Sequence, residues 1–180
     1  MTLQNFFINN SKVAIAFSGG VDSAYLLYAA KQYAKEVRAY YVKSEFQPQF
    51  ELDDAIRLAE ELMVSLKILN LNVLAVPCVS DNPENRCYYC KKAIFTEIIQ
   101  AAKADGFTVL LDGTNASDDA DDRPGMKALH ELSVLSPLRR SYPFSLFSYF
   151  YHYNKWRIYP CIYRTVILPR NFFWKMMNPG

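Results

Sequence analysis

The chain has 180 residues, 51% of them apolar, with four cysteines and a formal net charge of +2. That length suits a single domain whose core needs neither disulfides nor a structural metal, and so small a charge gives no case for a nucleic-acid surface. No basic segment leads into an apolar stretch and a small-residue cleavage site, and no uncharged apolar run reaches the roughly 18 residues of a membrane span, so a cytoplasmic, non-membrane protein is expected.

Residues 12–17 (KVAIAF) form a nearly continuous apolar run, the pattern of a parallel strand covered on both faces, and lead directly into Ser18-Gly19-Gly20. Residues 23–35, rich in Ala and Leu, read as a helix, and residues 37–43 (VRAYYVK) return as a strand, completing a right-handed βαβ unit. Leu52, Ala55, Ile56, Ala59, Leu62 and Met63 recur at helical spacing, which predicts a second helix over 49–67 and a strand at 70–76. Asn82-Pro83-Glu84 is a start signal for a third helix running to about 104, with Gly106 as its stop. Residues 107–111 (FTVLL) read as a fourth strand, residues 112–123 as a polar loop, and residues 124–132 as a short helix. Alternation of this kind predicts an α/β fold, a doubly wound parallel sheet of the Rossmann-like type. Its ligand crevice should lie at the carboxyl ends of the strands, where 18–23, 44–45 and 112–123 fall.

Charge divides the chain near residue 140. Residues 1–140 carry 15 Lys/Arg and all 18 Asp/Glu, whereas 141–180 carry five Lys/Arg, no acid and 13 of the 27 aromatics. Two regions are therefore expected, a domain over 1–140 and an atypical tail over 141–180 whose composition is what a shifted reading frame or truncation gives.

The turn between the first strand and helix carries the clearest chemistry. Small residues there let the backbone N–H groups of Gly19, Gly20 and Val21 converge on an anion at the positive end of a helix, with Ser18 and Ser23 as hydroxyl donors and Asp22 as a magnesium-facing carboxylate. The bland alternative is a tight strand–helix turn. SGGVDS lacks the Lys-Ser/Thr pair of a Walker A loop, so it suits released pyrophosphate better than a β/γ-phosphate clamp. Cys87-Tyr88-Tyr89-Cys90 at a helix start places two sulfurs one turn apart, where backbone N–H groups should lower their thiolate pKa values; two thiolates are half a metal site, and unliganded thiols are the alternative. Cys78 reads as a small buried hydrophobe and His130 as structural. Lys91 and Lys92 either face an anionic substrate or form a solvated helix face. Gly113, Asn115, Asp118, Asp121 and Arg123 either position a nucleotide and magnesium or make a solvated acidic loop.

At SGGVDSAYLLYAA the chain resembles the PP-loop ATP-pyrophosphatase superfamily, whose fold is adenine nucleotide alpha hydrolase-like. With NPENRCYYCKKAIF, DGTNASDDADDRPGMKAL and SPLR in the same order, it is similar to the LarE family of ATP-dependent sulfur transferases, which build the nickel-pincer nucleotide cofactor. The resemblance covers about residues 10–140. It implies a transferase that adenylates a nucleotide-borne carboxylate with ATP and Mg2+, releases pyrophosphate, and then transfers sulfur. It further implies that Cys87 and Cys90 are catalytic or hold a [4Fe-4S] cluster with a third cysteine, a place that Cys161 in the unmatched tail could in principle take. The GTN and RPG matches imply a phosphate role for Arg123, and polar or metal contacts for Asp118 and Asp121. The implied partner is a small-molecule nucleotide; a homo-oligomer is left open. A non-catalytic ATP-binding module and a PP-loop amidotransferase are the alternatives.

Overall fold

Three consecutive residues with no solvent exposure, Val13, Ala14 and Ile15, mark the centre of the sheet. They belong to β1 (Lys12–Ala16), which pairs in parallel with β2 (Glu36–Lys43) on one side and with β4 (Leu110–Leu111) on the other; β3 (Leu66–Asn70) pairs in parallel with β2. The order is β3-β2-β1-β4. The computed structural model describes residues 2–75, 85–115 and 124–141, so the tail from 142, the start signal at 82–84 and most of the acidic loop lie outside the described residues.

Among the described residues six helices flank the sheet: α1 (Leu3–Asn9), α2 (Val21–Tyr33), α3 (Gln49–Glu61), α4 (Arg86–Ala104), α5 (Pro124–Glu131) and α6 (Pro137–Ser141). One core joins Leu3 and Phe7 of α1, Leu26 and Leu27 of α2, Ala55 and Leu58 of α3, and Leu138 of α6 to Val13, Ile15 and Tyr41. A second core, on the opposite face, joins Phe95, Ile98 and Ala102 of α4 and Leu129 of α5 to Ala14, Tyr40 and Val42. Alternate residues of β1 and β2 thus enter opposite cores, as the pleat requires. The fold is the expected doubly wound α/β sheet, with its reversal of strand order beside β1.

Three boundaries differ from expectation, the simplest being the fourth strand, expected over 107–111 and observed as Leu110–Leu111. Helix α3 stops six residues before 67: Met63 adopts φ 52°, its amide donates to Glu60 O at 2.9 Å, and Val64 N donates to Ala59 O at 2.9 Å. This left-handed cap turns the chain back so that the third strand is Leu66–Asn70, while Val73–Ala75, which an apolar run made strand-like, is a 3-10 turn around buried Val73. At an edge, β3 is half covered and carries no continuous apolar signal. Helix α1 is absent from the sequence reading because it is only seven residues long; Thr2 caps it by accepting from Asn5 N at 3.2 Å, and Leu3 and Phe7, one turn apart, seat it on the core.

Candidate functional site

Gly19 follows β1 with φ +78°, a conformation that only glycine adopts without strain, and a Cβ there would lie 3.3 Å from Ala55 Cβ. Gly20 is the N-cap of α2, so the first amides of the helix point into the turn, and Asp22 occupies the first helical turn. The two serines hold this turn. Ser23, 5% exposed, donates its hydroxyl to Gly20 O at 2.9 Å and lies 3.1 Å from Ser18 Oγ. Its single proton is thereby committed, so in this state Ser18 donates to Ser23 and accepts from Gly20 N at 3.4 Å. Ser23 braces the loop, whereas exposed Ser18 remains able to turn its hydroxyl outward.

Across the crevice, the strap 112–115 leaves β4 and lies against the start of α2. A Cβ on Gly113 would sit 2.8 Å from Ser23 N and 2.9 Å from Ser23 Cα, so the bare backbone is what permits the approach. Asn115 Nδ2 donates to Asp22 Oδ2 at 2.9 Å. Asp112 is buried and accepts hydrogen bonds from the hydroxyls of Thr114 and Ser136.

Between these two loops lies a cavity of about 400 Å³. Ser18, Gly20, Asp22, Ser23, Gly113 and Thr114 form its polar wall; Tyr40, Val42, Ile94, Phe95 and Ile98 form an apolar wall on the α4 side. Lys91 lines it as well, although a solvated lysine was the simpler expectation. Its place depends on Gly125, where a Cβ would meet Lys91 Cδ at 2.8 Å. Lys92, by contrast, faces away into a surface pair with Glu131 at 2.9 Å and a hydrogen bond to Tyr88 at 2.8 Å. Tyr41 also contributes to the lining; its hydroxyl is buried without a hydrogen-bond partner among the described residues, and burial, then the charge of Glu51, pushes its pKa up to about 12.

The structure therefore brings together Ser18, Gly19, Gly20, Val21, Asp22, Ser23, Gly113 and Asn115. Asp118, Asp121 and Arg123 lie outside the described residues, as do Cys78 and Cys161. Cys87 is exposed and Cys90 half-buried in the first turn of α4, both free, and neither is among the described residues lining the cavity. Burial raises the Cys90 pKa despite the opposing charge of Arg86, which corrects the expectation of an activated thiolate there. Among the described residues no three His, Cys, Asp or Glu side chains form a metal-holding group, and Cys87 and Cys90 are the cysteine donors found there. Asp22 beside a phosphate-sized turn does suit magnesium, which takes one or two carboxylates and completes its shell with substrate phosphates and water. His130 is exposed on α5.

Residues 12–81, from β1 through the phosphate-sized turn to just beyond β3, match the family model described as "Queuosine biosynthesis protein QueC". An uncharacterized protein of Synechocystis is 36% identical over 140 residues, covering 76% of this chain and 51% of the relative. The pyridinium-3,5-bisthiocarboxylic acid mononucleotide synthase of Lactiplantibacillus plantarum is 33% identical over 132 residues, covering 72% of this chain and 48% of the relative. The chain is a relative of the PP-loop ATP-pyrophosphatases. The matched stretch includes the turn at 18–23, and the chain spans about half the length of the curated relatives it matches. A solved structure of similar fold, the glutamine-dependent NAD+ synthetase of Acinetobacter baumannii in complex with ADP, superimposes with a TM-score of 0.63 at 16% identity, covering 97% of this chain and 36% of that one. Among the described residues no helix is long and apolar enough to cross a membrane.

Proposed function

We propose that the chain binds ATP with magnesium at the PP-loop and carries out the adenylating half of a sulfur transfer, activating a nucleotide-borne carboxylate in the synthesis of a nickel-pincer nucleotide. The observation that carries this reading is the convergence of a positive-φ glycine turn, the N-terminal amides of α2 and the Asp22 carboxylate on one cavity. The similarity to the pyridinium-3,5-bisthiocarboxylic acid mononucleotide synthase supports the choice of acceptor.

In this mechanism a carboxylate oxygen of the acceptor attacks the α-phosphorus of ATP, the bond from that phosphorus to the bridging oxygen breaks, and pyrophosphate leaves with both electrons. The amides of Gly19, Gly20 and Val21 receive the negative charge that accumulates on the departing group, already oriented before the reaction begins. Asp22 would hold magnesium, and the ion would supply charge neutralisation for the departing pyrophosphate. Lys91, reaching the cavity from α4, adds a positive charge on the opposite side. A hydrosulfide nucleophile then displaces AMP from the acyl adenylate, forming the C–S bond as the C–O bond to AMP breaks and leaving a thiocarboxylate. Neither Cys87 nor Cys90 lines the cavity, so the geometry supports the adenylating half better than the sulfur-donating half.

The test is calorimetric titration with ATP and magnesium, followed by pyrophosphate release with pyridinium-3,5-dicarboxylate mononucleotide as acceptor. Binding with acceptor-dependent release is expected. Binding without release would reduce the chain to a nucleotide-binding module, and absence of binding in a folded sample would remove the reading altogether.

A further inference from the structure

The strap that carries Asn115 begins at a buried charge. Asp112 is 5% exposed; its Oδ1 accepts from the Ser136 hydroxyl, its Oδ2 from the Thr114 hydroxyl, and its amide donates to Leu135 O at 3.0 Å. Among the described residues no lysine or arginine forms a salt bridge with it, so the two hydroxyls provide its side-chain stabilisation there. One residue later Gly113 rests on Ser23, and at the far end Asn115 holds Asp22 at 2.9 Å. Ser136 itself precedes α6 and is not among the described residues lining the cavity.

We infer that Ser136 is a positioning residue for Asp22, acting through Asp112 and the strap 112–115; this rests on the PP-loop reading proposed above. Removing the hydroxyl leaves one oxygen of a buried carboxylate without its donor, the costly kind of loss. The carboxylate then turns to recover a partner, Thr114 moves with it, and Asn115 loses its alignment with Asp22. The amides of the PP-loop are fixed independently, by β1 and by the cap of α2, so they keep their place. The consequence is selective: metal-free phosphate binding persists, while the contribution of a metal held by Asp22 falls.

Calorimetric titration of the chain with inorganic pyrophosphate, in the presence and absence of magnesium, reads this without turnover or acceptor. In Ser136→Ala the gain in affinity that magnesium brings should shrink by about tenfold. Metal-free affinity should stay unchanged, and Ser136→Thr, which keeps the hydroxyl, should retain the gain. An undiminished magnesium gain in Ser136→Ala, or a Thr variant as impaired as the Ala variant, overturns the inference. A parent chain that binds no pyrophosphate under either condition overturns the PP-loop reading and this inference with it, and is recognised before any substitution is made. Should Ser136→Ala fail to fold, Ser136→Cys supplies a side chain of similar size with a weak donor. A partial loss of the magnesium gain is then expected, and a full gain overturns the inference.

Discussion

Asn115 Nδ2 donates to Asp22 Oδ2 across 2.9 Å, joining two loops that lie 93 residues apart in the chain. The bond ties the orientation of the only carboxylate in the 18–23 turn to the loop that follows β4. Asp22→Ala should therefore abolish ATP turnover while the domain stays folded, because the residue is on the first turn of α2 and outside both cores. The stability cost should combine the lost interaction with the helix N-terminus, about 0.3–1 kcal/mol, with the lost hydrogen bond from Asn115, about 0.5–1.5 kcal/mol. Circular dichroism and pyrophosphate release check both halves; unchanged turnover would falsify the magnesium role of Asp22.

Gly113→Ala places a methyl group 2.8 Å from Ser23 N, where the obstacle is backbone and cannot swing aside. The expected cost is about 1–3 kcal/mol. Nucleotide affinity should fall along with stability, since the displaced backbone is that of the turn proposed to bind phosphate. Thermal unfolding with and without ATP reports both, and an alanine variant of parental stability would mean the two loops are farther apart than described.

Gly125→Ala is a different case. The new methyl group meets Lys91 at Cδ, part of a flexible side chain that can rotate out of the cavity. Stability should change by less than about 1 kcal/mol, with turnover reduced because a positive charge has left the site. Equal turnover in parent and variant would show that Lys91 has no part in the reaction.

Tyr41→Phe removes a buried hydroxyl that has no hydrogen-bond partner among the described residues. Deleting such a group should leave stability unchanged or raise it, by up to about 1–3 kcal/mol. Chemical denaturation decides the point. A marked destabilisation would reveal a partner, such as an ordered water, for this oxygen.

Stability should also fall at both ends of the pH scale around one network at the foot of α4. Lys67, Tyr40 and Arg38 all bond to Asp105, and Lys67 contributes most to holding its pKa at about 2, below an ordinary value of 3.8. The unfolded chain therefore takes up this proton first, so the stabilisation is complete above pH 3.8 and is lost as pH falls toward 2. Tyr40 shifts the other way, from 10.0 to about 12, chiefly through burial and then through its bond to Asp105. Its contribution is complete below pH 10 and is lost as pH rises toward 12. Unfolding midpoints of Asp105→Asn across both ranges should show a flatter acid limb than the parent; an identical acid limb would remove Asp105 from this role.

Much of this architecture was legible in the sequence where burial is strong on both sides. The run ending at Ala16, the glycines that follow it and the periodicity of α2 announce a strand, a turn and a helix, and the crevice follows from their order. The third strand was misplaced because Leu66–Asn70 is an edge, half covered, so its pattern continues that of the preceding helix; what separates the two is a positive φ at Met63, a residue type that gives no such warning. Within the site, Ser18, Asp22 and Ser23 were readable because they are adjacent in sequence. For Lys91 the sequence left two readings open, since its reach into the cavity depends on a glycine 34 positions later, and the role of Ser136 arises only from the pairing of Leu111 with Leu135 that sets it beside Asp112.

The order β3-β2-β1-β4 also carries a consequence for how the chain reaches this state. The pairings of β1 with β2 and of β2 with β3 join neighbours along the chain, whereas β4 closes on β1 through Ala14 with Leu110 and Ile15 with Leu111, and by two rungs only. The first three strands can assemble early, while the last contact must wait for a long loop to close at a high entropic cost. Half of the crevice rides on that last contact. A growing chain would thus carry a finished phosphate turn with no opposite wall until the segment around Ser136 had docked, and affinity for the nucleotide would report the final step of folding.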